Sequence, residues 1–221
     1  MKDHDDVRTR ILDAAEKLFY ARGIQAVGMD ELRTAAGVSL KRLYGTFPAK
    51  HDLVEAYLRR RDEHWRASLA AYVDTHSGTG VPGAAPLAVF DWLETWFAAP
   101  DFRGCAFVNA YGELGATSEG VGRAAREHKL ALRAYLADLV RPLTATATAT
   151  AAASDDAGPA TLAGHAVLAG QLALLIDGAI SAAAVTGDPA AARTARAAAE
   201  ALLRGAQGER TGVGISGPCA S

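Results

Sequence analysis

Two short helical segments meet at Ala36-Gly37-Val38-Ser39, and this junction constrains the fold more than any other stretch of the chain. The first segment, Asp30 to Ala36, carries Leu32 and Ala36 on one face. The second, Ser39 to Phe47, has Ser39 as N-cap and Pro48 as its stop. A turn of this length, often containing Gly, joins the two helices of a helix-turn-helix. Gly37 suits the left-handed backbone such a turn requires, because it lacks a Cβ. Val38 can plug the gap between the helices. Leu43 and Phe47, four apart, both face the core, which leaves Leu40, Lys41, Arg42, Tyr44 and Gly45 outward.

An outward cluster of Lys, Arg and Tyr near a helix N-terminus has the chemistry for reading a major groove. Cations meet base edges or phosphates, and Arg can bind guanine through two hydrogen bonds. The Tyr44 hydroxyl can reach a phosphate. Lys50 opens the next helix, where its ammonium and the free N–H groups can hold one phosphate together. The candidate DNA contacts are thus Ser39, Leu40, Lys41, Arg42, Tyr44 and Lys50. A lone Lys-Arg pair is more often a solvated helix face; the order of the whole constellation favours the DNA reading.

The rest of the chain reads as helices separated by Gly and Pro, with no convincing strand. The spacing predicts helices over 6–21, 50–74, 86–97, 104–115, 118–141, 160–185 and 189–205. The Thr/Ala alternation and SDDAGP over 144–159 predict a loop, and the Gly/Ser/Pro-rich end a tail without fixed structure. The fold class is therefore all-α. Half of the 221 residues are hydrophobic, enough for a sizeable core. Cys105 and Cys219, far apart, fit neither a disulfide framework nor a zinc site, and free thiols point to a reducing cytoplasm. The polar start (Lys2, Asp3, His4, Asp5, Asp6) excludes a signal peptide, and the apolar run 167–176, broken by Gly170 and Gln171, reads as too short for a bilayer. Residues 1–66 hold 13 Lys+Arg against 11 Asp+Glu, a net of +2, whereas the remainder nets −4. No cofactor fingerprint, metal-spaced His/Cys set or nucleophile motif is visible, so no cofactor and no enzyme activity are expected.

The N-terminal constellation resembles the TetR family of bacterial repressors. It is carried by Ile11, Ala14, Ala15, Leu18, Phe19, Gly23, Leu32, Ala36, Gly37, Val38, Ser39, Leu43, Tyr44, Phe47, Lys50 and Leu53. Three positions depart from the pattern. Gly28 stands where the family usually has Thr, which caps the second helix and touches a phosphate; Gly can still cap, but the side-chain contact is gone. Arg33 replaces a small residue and adds a further candidate phosphate contact. Thr46 replaces a frequent His.

The resemblance implies a DNA-binding domain over 1–50, a ligand-binding and dimerising domain over 51–207, and a tail over 208–221. It implies a cytoplasmic homodimeric repressor, free of the membrane, that a small, largely apolar effector releases from a palindromic double-stranded operator. Candidate pocket residues are Trp92, Trp96 and Phe107, with Asn109, Tyr111 and Glu113 as polar neighbours. Equally, the aromatics are ordinary core. The stripe Leu162, Ala166, Ala169, Ala173, Ile176, Ile180 and Ala183 has alternating 4,3 spacing, as a dimer seam or an intramolecular core would. Asp177 in this apolar helix needs a partner or a proton. Alternatives are a regulator of this fold that lacks a ligand or activates, and, more remotely, a helical enzyme or carrier.

Overall fold

The computed structural model describes residues 2–78, 83–151 and 160–208. These are helical nearly throughout, with no strand among them: α1 (Lys2–Arg22), α2 (Met29–Ala36), α3 (Leu40–Thr46), α4 (Lys50–His76), α5 (Ala84–Phe97), α6 (Ala106–Leu114), α7 (Glu119–Ala151), α8 (Ala160–Thr186) and α9 (Ala191–Gly208). The all-α expectation holds. Two compact units form, the first from Met1–Ala70 and Ala99–Leu132, the second from Ala71–Ala98 and the described residues after Leu132. The division falls within α4 and α7.

The first unit packs α1, α2 and α3 around Ile11, Ala15, Phe19, Leu32, Leu43 and Phe47, all nearly or fully buried. Local chemistry sets the boundaries. Gly37 adopts φ 63°, ψ 38° and ends α2, while the Ser39 hydroxyl accepts from the Arg42 N–H at 3.2 Å and starts α3. The same unit contains a polar knot. His128 is 3 % exposed; its Nδ1 lies 2.7 Å from Asp62 Oδ1 and its ring stacks on Phe107. Arg66 adds a second contact to Asp62 at 2.7 Å.

Burial alone would raise the Asp62 carboxyl, but hydrogen bonds from Arg66 and His128 outweigh it and hold the group below its ordinary value. A depressed carboxyl contributes stability that is complete above the unfolded value, about 3.9, and is lost as pH falls through the folded one. Asp62→Asn should therefore flatten the acid limb of stability below about pH 4 and lower stability at pH 7. Denaturant titrations followed by circular dichroism at several pH values check this; an unchanged acid limb refutes the assignment.

In the second unit α8 packs on α9 and α5. Leu168, Leu172 and Ile176 meet a core that also holds Phe90, Leu93, Ala192 and Ala199, the small α9 residues permitting close approach. Arg196 reaches Asp91 at 2.7 Å, and Arg193 pairs with Glu94.

Three sequence expectations change here. First, α7 continues to Ala151 through Pro142, so the first half of the expected 144–159 loop is helical. Ala is the strongest helix former, and composition alone hid that. Residues 152–159 and 209–221 lie outside the described residues, as does the tail expected there. Second, the stripe read as a seam is divided. Ala169 and Ile176 are 0 % exposed and Ile180 5 %, all inside the chain's own core. Ala166 is exposed and Ala173 half-buried, while the Leu162 side chain lies outside the described ones. The large apolar side chains exposed on the described part of α8 are instead Val167, Leu174 and Val185. Third, Gly164–Thr186 is long and apolar enough by length and composition to cross a membrane, so shortness does not exclude a span. Its inner face nonetheless packs on α9 and α5.

Candidate nucleic-acid interface

The outward face of α3 is as the spacing predicts. Leu40 and Tyr44 are 43 % and 44 % exposed, and Ser39, Lys41 and Arg42 are exposed as well. Leu43 and Phe47 anchor the helix from beneath. A seven-residue helix is too short to be stable alone, so its neighbours must hold it. Arg10 of α1 supplies part of that hold. Its Nε and Nη2 donate to the Ala36 carbonyl at 3.0 and 2.8 Å, and Nη2 also donates to Gly37 O. These carbonyls end α2, where the helix dipole favours a cation. The Arg8 guanidinium lies 4.7 Å from the centre of the Phe47 ring, placing another cation beside α3. Neither arginine stands out in the sequence. Each acts on a partner 26 or more residues away, and no local pattern announces that.

Two predicted contacts have other partners. Arg33 donates through Nε to Asp30 Oδ1 at 2.6 Å and stays partly exposed. Lys50 donates through Nζ to the carbonyls of Ile24 and Val27, both at 2.6 Å. Burial lowers its pKa, opposed by the charge of Glu113. An ammonium has three donors, and two of those of Lys50 tie it to the turn between α1 and α2.

This geometry meets a clear likeness to known proteins. Residues 11–57 match the family model described as bacterial regulatory proteins, tetR family. SCO4454, a TetR-family transcriptional regulator from Streptomyces coelicolor, superposes with a TM-score of 0.75 at 28 % identity, over 92 % of this chain and 97 % of that one. Its N-terminal domain is a tetR-family DNA-binding domain, and the whole chain has the fold of a TetR-family regulator. The family comprises DNA-binding regulators rather than enzymes. The regulator is also 47 % identical over 51 residues to the HTH-type transcriptional regulator Rv1255c of Mycobacterium tuberculosis, which is 23 % of this chain and 25 % of that protein. It is 36 % identical over 94 residues to the HTH-type transcriptional activator FasR of Mycolicibacterium smegmatis, covering 41 % and 42 % of the two chains. The matches thus span a quarter to two fifths of these curated relatives.

The pocket residues expected of the TetR-family regulator do not converge within either unit. Trp92 and Trp96 stack with ring centres 5.4 Å apart in the second unit, Trp92 buried. Phe107 belongs to the first unit, where it is 2 % exposed and stacked on His128. Asn109 donates to the Arg103 carbonyl at 2.9 Å, and Tyr111 is 57 % exposed. The Glu113 carboxylate accepts the backbone N–H groups of Ile24 and Gln25. These partners revise Phe107 to a core residue and Glu113 to a backbone anchor. A cleft in the first unit is lined by Glu55, Arg59, Asp62, Phe107, Arg123 and Glu127, among others, and so is charged rather than apolar.

Proposed function

We propose that this regulator is a homodimeric repressor that binds a near-palindromic operator and leaves it when a small, largely apolar ligand binds. The observation that carries the DNA part is the face of α3. Leu40, Lys41, Arg42 and Tyr44 point outward from a helix that Ser39 caps and buried Leu43 and Phe47 hold. In this reading Lys41 and Arg42 meet base edges or phosphates, and Tyr44, Ser39 and the third Lys50 proton meet phosphates. Arg33, bound to Asp30, contributes at the edge.

Dimerisation is supported by the outer face of α8. Val167, Leu174 and Val185 are 58, 73 and 85 % exposed. With exposed Gln171, Gly178 and Ser181 they follow the alternating 4,3 spacing of a helix-packing seam. A second copy laid on this face covers the apolar side chains. The ligand contacts we favour are Trp96, half-buried, and Trp92 stacked beneath it, because the pair concentrates aromatic rings in one place. FasR is named an activator, so activation from the same operator is the second reading.

Selection of duplexes from a random-sequence library by the full chain tests the proposal. The expected product is an inverted repeat with half-site centres about 34–36 Å apart or a multiple of that. Recovery of no preferred sequence, or of a single unrepeated half-site, overturns it. Transcript levels at the promoter carrying the selected site then separate the readings. They rise on deletion for a repressor and fall for an activator.

A further inference from the structure

The turn between α1 and α2 is gripped from both sides by opposite charges. On one side, Ile24 N–H donates to Glu113 Oε1 at 3.0 Å and Gln25 N–H to Oε2 at 2.8 Å. Gln25 Nε2 also donates to the Glu113 carbonyl at 2.8 Å. On the other side, Lys50 donates to Ile24 O and Val27 O. The N–H of Ile24 therefore ends on a carboxylate and its C=O on an ammonium. The carboxylate lies so close to Gly23 (φ +87°) that a Cβ there would sit 3.1 Å from Oε1. Ile24 and Val27 are buried, which fixes the turn's apolar side.

The grip is consequential because α2 begins directly after this turn. The N-cap of α2 is Gly28, whose missing side chain cannot cap the helix, so no local side-chain bond sets where α2 starts. The start of α2 is then set by where residues 23–28 are held, together with the exposed Arg22–Glu31 ion pair between the end of α1 and the first turn of α2. α2 leads through Gly37 into α3, so the same hold reaches the reading helix. A second tie joins the same elements: Tyr20 Oη donates to Gly104 O and accepts from Arg103 N–H, both at 2.9 Å. The segment bearing α6 is thus bound near both ends to the α1 end of the reading head, within one compact unit.

We propose that Glu113 and Lys50 act as one unit that positions the 23–27 turn, and with it α2 and α3, for DNA recognition. Glu113 is then a positioning residue acting through the turn, and the inference rests on the DNA-binding reading above. Without the carboxylate, two amide groups lose charge-assisted bonds and Lys50 loses its nearby counter-charge. The head then populates other arrangements, and apparent affinity falls in proportion to the competent fraction.

The test uses the full chain, the duplex selected by the wild type, and the variants Glu113→Gln, Lys50→Met and their combination. E113Q should lower affinity for that duplex about tenfold or more, with an unchanged circular-dichroism signal and an unchanged salt slope, since no phosphate contact is removed. Amide exchange at Ile24 and Gln25 should accelerate. The double variant should lose no more than about the larger single loss, as residues acting as a unit do. Wild-type affinity in E113Q, additive losses in the double variant, a flattened slope in E113Q or unchanged amide exchange would each overturn the proposal. A wild type that selects no duplex defeats the DNA reading itself, while exchange at Ile24 and Gln25 still judges the grip.

Discussion

Lys41→Ala combined with Arg42→Ala should reduce operator affinity at least about a thousandfold. A good side-chain contact to a base edge discriminates by about 1–3 kcal/mol, and a two-fold complex loses each contact twice. The fold should survive, because both side chains point away from Leu43 and Phe47 and stand on an exposed face. A gel shift on the selected duplex, with circular dichroism as control, reads the result. Binding within about threefold of wild type, a difference of only some 0.6 kcal/mol, would refute the assignment. Loss of the helical signal would instead show that the pair supports the fold.

Two substitutions only two residues apart on α8 should behave oppositely. Leu174→Glu places a charge on an exposed apolar face, so the protomer should stay folded while the proposed seam fails. Two like charges then meet across a two-fold axis, and light scattering should report a monomer that no longer holds a full operator. Ile176→Glu buries its carboxylate at a position with no exposure. An unpaired charge there is destabilising by about 3–5 kcal/mol, and the expected result is loss of the folded signal. A dimeric L174E that still binds DNA would place the seam elsewhere. A stable, dimeric I176E would contradict the packing of the second unit.

The same pair shows what was legible in the sequence. Ala169, Ile176 and Ala183 repeat with helical spacing, and so do Val167, Leu174 and Val185. α8 is apolar on nearly every side, so periodicity could not say which stripe α9 and α5 would cover. The reading head was different. Gly37, Ser39 and Pro48 act on their own neighbours, and local turn and cap chemistry can be read one residue at a time. The boundaries of α2 and α3 agree with the structure within one residue, whereas α1, lacking such a signal at its start, begins four residues earlier than its spacing predicts. Glu113 illustrates the limit. Beside aromatic residues it looked like a polar group in a pocket, but its amide partners lie 88 and 89 residues earlier. The helical run to Ala151 is hidden for another reason: a Thr/Ala alternation has the composition of a loop, although alanine favours helix.

The division of α3 into an anchoring side and an exposed side has an evolutionary consequence. Leu43 and Phe47 keep the helix in place, whereas Leu40, Lys41 and Tyr44 lie outside the core. Changes at those three positions leave the packed interior as it is. A duplicated copy of this gene can therefore drift toward a different promoter without passing through an unfolded intermediate. The two copies would diverge in target long before they diverged in architecture.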